Sequence, residues 1–138
     1  MSIITKSFII NTRGFTDIID ITNNVNAIVQ NENIKEGLLT VYVEGSTASI
    51  TSIEYEPGLI KDLPELLDHL IPRDKDYHHD KTWQDGNGYA HLRASIIGNS
   101  MQVPVVSSHL QLGTWQQIVL IDFDNKPRSR KITVQIVV

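Results

Sequence analysis

Two histidines on either side of a polar turn are the residues of this sequence best suited to chemistry. His79 and His91 flank residues 85–88, Asp-Gly-Asn-Gly, and both Gly and Asn tolerate the positive φ that a tight reversal needs. A reversal here would bring the two imidazoles together, and imidazole is a common ligand of divalent metal ions. The alternative is that both histidines are solvated or hydrogen-bonding residues of a long loop.

The turn itself supplies two groups that can support a metal or a phosphate. The carboxylate of Asp85 and the amide of Asn87 can fix the tautomer of a neighbouring imidazole, although the same residues also serve as a purely structural turn. Two neutral imidazoles with a carboxylate or water suit zinc, manganese or ferrous iron, whereas magnesium prefers oxygen ligands. If a divalent ion binds, the sequence leaves its identity open among zinc, manganese and magnesium.

Arg93 and Glu54 complete the candidates for catalysis, together with Asp85. Residues 90–97 are predicted as a strand, on which Arg93 shares a face with His91 because side chains two positions apart point the same way. A guanidinium beside a metal ion commonly clamps phosphate oxygens. Glu54 follows a strand rich in Ser and Thr and offers a carboxylate, although most acids in such positions are merely solvated.

The candidate binding residues are polar or aromatic side chains from three segments. They are Ser46, Thr47, Ser49, Asn87, Trp115 and Gln116. The first segment, Gly-Ser-Thr-Ala-Ser at residues 45–49, combines hydroxyls with a flexible backbone that can donate hydrogen bonds to an anion. Its alternative is a polar turn that leads into a strand. The aromatic segment follows Gly113 and either lines a pocket or caps the core at a turn.

The composition is that of one soluble domain without a basic face. The 138 residues are 41% hydrophobic and carry a formal net charge of −4, which argues against nucleic acid as a partner. One basic cluster, residues 126–131 (KPRSRK), is enough for a small anion. Cysteine is absent, which excludes thiolate sites and disulfides. Neither a signal-peptide pattern nor an apolar run of about 20 residues is visible, so we expect a cytoplasmic protein without a membrane partner.

The hydrophobic pattern predicts short strands with two helical interruptions, a single α+β domain. The predicted strands are residues 3–11, 16–21, 38–44, 46–53, 90–97, 101–107, 116–122 and 132–138. The two helices are predicted to begin near Thr22 and Pro57. Residues 117–123 and 132–138 carry much apolar surface and are interpreted as edge strands, which would favour pairing with another chain.

Five segments, taken in order, resemble the secondary thiamine-phosphate synthase family, the YjbQ-like proteins. They are residues 45–58 (GSTASITSIEYEPG), 76–79 (DYHH), 85–100 (DGNGYAHLRASIIGNS), 103–105 (VPV) and 112–128 (LGTWQQIVLIDFDNKPR). The resemblance implies one compact α+β domain over residues 1–138, mostly an antiparallel β-sandwich with two helices. It also implies a homotrimer, with a histidine-containing pocket near the subunit contacts.

The same resemblance implies an activity on small phosphorylated molecules. The expected reaction joins a pyrimidine diphosphate to a thiazole phosphate and releases pyrophosphate, with His79 and His91 as metal ligands. One position departs from the family pattern, because Gly45 stands where many members carry a histidine. A centre of three histidines therefore cannot be transferred to this chain. The alternative function is a non-catalytic trimer that binds a metal, an anion or a small metabolite.

Overall fold

Eight strands and four helices make up the fold, and the computed structural model describes all of residues 1–138. The strands are β1 (Ile3–Thr12), β2 (Asp17–Asp20), β3 (Gly37–Val43), β4 (Ala48–Glu54), β5 (Ser100–Val106), β6 (His109–Leu110), β7 (Gln116–Asp122) and β8 (Arg128–Val137). The helices are α1 (Thr22–Asn31), α2 (Pro57–Leu70), α3 (His78–Trp83) and α4 (Gly88–Ile97). None of these helices has the length and apolar character that crossing a membrane requires. The α+β class is confirmed, with four helices instead of two.

The strands form two antiparallel sheets that face each other, with helices behind the smaller one. The larger sheet has the order β1-β8-β3-β5-β6 and the smaller one β2-β7-β4. A core of 16 buried residues fills the space between the sheets and includes one face of α1. A second core of nine buried residues lies on the other face of the smaller sheet, where α2 and α4 cover it. The domain therefore has three layers, with the smaller sheet in the middle.

The prediction that residues 117–123 and 132–138 form edge strands is wrong. β7 lies between β2 and β4, and β8 lies between β1 and β3. Ile118 and Leu120 of β7 enter the first core, while Val119 and Ile121 enter the second. A strand that is buried on both faces needs a continuous apolar run. The apolar character of β7 therefore reflects its central position and is no evidence for pairing with another chain.

Residues 90–97 form most of helix α4, so their prediction as a strand is also wrong. The buried residues Tyr89, Ala90, Arg93 and Ala94 recur at the spacing of one helix face. The small side chains of Ala90 and Ala94 let the helix pack closely against the smaller sheet. The His-rich segment, which was expected to be a loop, contains the short helix α3.

Tyr89 and Tyr77 give a paired test of how the helical layer is stabilised. The Tyr89 side chain is buried and its hydroxyl has no hydrogen-bond partner, whereas the Tyr77 hydroxyl donates to the Pro72 carbonyl at 2.7 Å. We expect Tyr77→Phe to lower the free energy of unfolding by about 1 kcal/mol, and Tyr89→Phe to leave it unchanged or raise it. Urea denaturation of both variants measures the difference, and a larger loss in Tyr89→Phe would contradict the assignment.

Candidate functional site

The candidate site is a pocket at one end of the sandwich, where the inward-facing rows of two strands change from apolar to charged. On β8 the inward row runs from Ile136, Val134 and Ile132 to Arg130. On β7 the corresponding row runs from Ile118 and Leu120 to Asp122. Strands alternate their side chains between two faces, so these charged residues lie at the mouth of the first core.

A buried ion pair closes this end of the core. Arg130 donates from Nε to Oδ2 of Asp122 at 2.7 Å and from Nη2 to Oδ1 at 2.9 Å. Both residues are almost fully buried, with 7% and 0% of their surface exposed. The Thr12 hydroxyl also donates to Asp122 at 2.6 Å. The pair has the two-bond fork geometry that is the strongest arrangement of a guanidinium and a carboxylate.

A second carboxylate, Asp124, extends this network into the pocket. It accepts hydrogen bonds from the Thr47 hydroxyl at 3.0 Å, the Asn87 amide at 3.2 Å and Arg128 Nε at 2.9 Å. Burial alone would raise the pKa of Asp124, but hydrogen bonds from the Asn125 backbone, Asn87, Arg128 and Thr47 hold it below its usual value. Asp124 therefore stays ionised and fixes its donors around the pocket.

The histidines are joined to this network through Asn87. Because the Asn87 amide nitrogen donates to Asp124, its oxygen faces Nε2 of His79 at 3.1 Å. Nε2 must then carry a proton, which leaves Nδ1 of a neutral His79 as the acceptor. The predicted role of Asn87 in fixing an imidazole tautomer agrees with this geometry. Asp85 lies 3.4 Å from the same Nε2 atom.

Tight packing between α3 and α4 brings the two imidazoles together. Their ring centroids are 4.3 Å apart, with a tilt of 48°. A side chain at Gly88 would place its Cβ 2.8 Å from the Cβ of Tyr77, so only glycine permits this approach. Burial, followed by the proximity of His79, lowers the pKa of His91. His91 is therefore neutral at neutral pH.

The resulting histidine pocket has a volume of about 390 Å³. It is lined by Gly45, Ser46, Thr47, His79, Trp83, Asp85, Asn87, His91, Asp124, Arg128 and Arg130. Arg128 and Arg130, which were not singled out in the sequence, supply its cationic groups. Two features of the sequence could have indicated them: the basic cluster at residues 126–131, and their spacing of two residues, which places both on one face of a strand.

Arg93 does not reach this pocket. Residues two positions apart on a helix lie about 200° around the axis from each other, so Arg93 points away from His91. It is fully buried and donates to the Ile71 carbonyl at the end of α2, to Asp68 and to Thr16. The expectation that His91 and Arg93 share a face is wrong, because the segment is helical. Arg93 anchors α2 against α4.

Four other predicted residues also lie elsewhere. Glu54 pairs with Gln116 at the far end of the β4–β7 ladder, six residues from the Ala48–Asp122 pair. At about 3.3 Å per residue, this places them roughly 20 Å from the pocket. Trp115, beside them, is 72% exposed and lines a separate cavity with Glu54. Ser49 is buried, and its hydroxyl lies 3.4 Å from the Ala94 carbonyl.

The pocket residues fit an oxyanion better than a divalent cation. No group of three or more His, Asp or Glu side chains is arranged to hold a metal ion, so the two imidazoles have no third protein ligand in place. The position opposite Gly45 is filled by a guanidinium, since a Cβ there would lie 2.7 Å from Arg130 Nη1. A guanidinium donates to anions and repels cations.

The comparisons with known proteins assign the family. The model of the family described as UPF0047 protein YjbQ-like matches residues 6–138. The chain belongs to the YjbQ-like family. It is 42% identical over 119 residues to a UPF0047 protein of Archaeoglobus fulgidus, covering 86% of this chain and 90% of that protein. It is 35% identical over 136 residues to a UPF0047 protein of Methanothermobacter thermautotrophicus, covering 99% of this chain and 93% of that protein.

Solved structures agree with this assignment of a YjbQ-like fold. A YbjQ-like protein of unknown function from Sulfolobus solfataricus P2 superposes with a TM-score of 0.91 at 32% identity, covering 98% of this chain and 96% of that one. A YjbQ/UPF0047 family protein from Clostridium acetobutylicum superposes with a TM-score of 0.87 at 35% identity, covering 96% of this chain and 99% of that one. The names of these four relatives state no activity. The YjbQ part of the resemblance is thus confirmed, while its thiamine-phosphate synthase part is not supported.

The lowered pKa of His91 predicts a loss of stability in mild acid. The unfolded chain takes up a proton near the ordinary value of 6.5, whereas the folded chain does so only at lower pH. Stability present above that value is therefore lost as the pH falls towards the folded pKa. We expect the melting temperature to drop between pH 7.5 and 5.5, and to drop less in His91→Gln. His69→Gln, an exposed site on α2, is the control and should follow the wild type.

Proposed function

We propose that the histidine pocket binds the phosphate or diphosphate group of a small molecule. One observation carries this proposal: two guanidinium groups and the neutral imidazole of His91 line a single cavity, beside the carboxylates of Asp85 and Asp124. Arg130 uses Nε and Nη2 to bond Asp122 and Thr47, and its Nη1 has no partner in the protein. Arg128 has 38% of its side chain exposed. Both guanidinium groups are thus held in place and still have N–H groups available to donate to a ligand.

The reaction implied by the sequence resemblance is compatible with such a pocket. In thiamine phosphate formation the thiazole nitrogen bonds to the methylene carbon of the pyrimidine diphosphate, and the carbon–oxygen bond to diphosphate breaks. The electron pair leaves with the pyrophosphate. Arg128 and Arg130 would stabilise the charge that develops on the leaving oxygens. His79 donates from Nε2 to Asn87, and neutral His91 offers an N–H. The proposed activity is therefore that of a thiamine-phosphate synthase-like transferase.

Binding without catalysis is the second candidate. Its support is that Asp124 is fully engaged in hydrogen bonds and that Glu54 and Arg93 lie outside the pocket, which leaves no evident acid–base pair. For the assembly we retain the homotrimer that the resemblance implies. Exposed Ile3, Leu38 and Val137 form one apolar row on the outer face of the larger sheet, which offers surface for subunit contacts.

Calorimetric titration with pyrophosphate tests the binding proposal. We expect saturable binding to the wild type and an affinity that is lower by a factor of at least about ten in Arg128→Gln, because one charge-assisted hydrogen bond contributes about 1.5–3 kcal/mol. Lys126→Gln removes an exposed cation of the same basic cluster outside the pocket and should bind as the wild type does. Equal affinity in all three proteins would reject the pocket as the binding site. Incubation with both thiamine precursors then separates the two candidates, since only the transferase releases pyrophosphate.

A metal ion held by His79 and His91, with water completing its ligands, remains the competing proposal for this pocket. Its support is the 4.3 Å separation of the rings. If the oxyanion site acts alone, pyrophosphate binding should survive dialysis against a chelator. Elemental analysis of the wild type and of the His79→Ala, His91→Ala double variant provides the comparison. Near-stoichiometric metal in the wild type only, with binding lost on chelation, would favour the metal.

A further inference from the structure

Gly45 lies at the boundary between the histidine pocket and a second cavity. The second cavity has a volume of about 280 Å³ and shares Gly45 and Ser46 with the first. Its other lining residues are Ala48, Ala94, Ser95, Gly98 and Asn99. We call it the small-residue cavity. The two cavities are therefore adjacent, and one of the two residues between them, Gly45, has no side chain.

The chemistry of the small-residue cavity contrasts with that of its neighbour. It contains no charged side chain, whereas the histidine pocket contains two acids and two arginines. Ala48 and Ala94 are buried and give it an apolar floor between the start of β4 and the end of α4. A cavity with small, uncharged walls leaves room for a flat, uncharged group and offers an ion no charged partner.

The position of Arg130 favours binding of an anion at the junction of the two cavities. Only 7% of the surface of Arg130 is exposed, yet its Nη1 donates to no protein atom. That nitrogen would lie 2.7 Å from a Cβ on Gly45. Gly45 has a φ of +127°, which other residues rarely adopt. Glycine at this position thus leaves an unpaired donor facing the boundary of both cavities.

We propose that the small-residue cavity is a subsite for the uncharged planar part of a phosphorylated ligand whose phosphate is held at Arg130. The subsite deepens the proposed function and rests on it. The phosphate binds at the charged mouth of the core, and the ring passes over Gly45 into the uncharged cavity. The ligand class is therefore a phosphate ester of a planar ring, and a side chain at position 45 would obstruct it.

Two simple probes separate the phosphate site from the ring subsite. Inorganic phosphate reports on the charged pocket alone, and phenyl phosphate adds one planar ring. In calorimetric titration, the wild type should bind phenyl phosphate at least about ten-fold more tightly than inorganic phosphate, since burying a ring removes a large apolar surface from water. An equal affinity for the two probes would overturn the subsite.

Ser95→Phe fills the small-residue cavity from an exposed position of α4 without altering the core. This variant should lose the preference for phenyl phosphate while binding inorganic phosphate within about two-fold of the wild type, because it changes none of the groups proposed to bind phosphate. Ile96→Phe is the matched control, because Ile96 is 74% exposed on the same helix and lines neither cavity. It should keep the preference. A preference that persists in Ser95→Phe would overturn the subsite.

The outcomes distinguish this inference from the proposed function. If neither inorganic phosphate nor pyrophosphate binds the wild type, the phosphate pocket itself fails and the subsite fails with it. If inorganic phosphate binds but phenyl phosphate gains nothing, only the subsite is overturned. Melting curves of both phenylalanine variants, compared with the wild type, verify that each is folded before it is titrated.

Discussion

The bidentate ion pair between Arg130 and Asp122 is the interaction on which the rest of the site depends. It joins β8 of the larger sheet to β7 of the smaller one at the open end of the first core. Breaking a buried pair by removing one partner costs about 3–5 kcal/mol, because the other charge is left uncompensated. Such a pair contributes little net stability compared with apolar packing. We therefore interpret the main role of this ion pair as fixing the Arg130 guanidinium at the edge of the core, and not as stabilising the fold.

From that pair a continuous chain of hydrogen bonds reaches the histidines. Arg130 donates to Thr47, Thr47 donates to Asp124, and Asn87 bridges Asp124 and His79. The chain links β8, the loop before β4, the loop after β7, the residue that precedes α4, and α3, so five separate segments share one polar network. A fully satisfied network of this kind fixes the orientation of each member. The imidazole tautomer of His79 is thereby set by a carboxylate that it does not touch.

The sequence pattern predicted some of the residues that line the candidate pocket but not all of them. The turn at residues 85–88 and the hydroxyls near Gly45 identified the pocket, because turn chemistry is local. The positions of Arg93, Glu54 and Trp115 could not be obtained in the same way. Placing Arg93 required distinguishing helix from strand over a segment that mixes polar and apolar residues. Placing Glu54 required knowing which end of the β4–β7 ladder lies near the histidines. Arg128 and Arg130 were detectable from the alternation that continues the inward row of β8 beyond Ile132.

A single missing side chain decides what kind of site this pocket becomes. A histidine at position 45 would add a third imidazole beside His79 and His91 and would displace the end of Arg130, because its Cβ would lie 2.7 Å from Nη1. With glycine, the guanidinium occupies that space instead. Metal ligation needs neutral or anionic donors that converge on one point, whereas oxyanion binding needs N–H groups with no other partner. Gly45 leaves one such group unpaired, and this difference supports the proposed anion over the competing proposal of a metal.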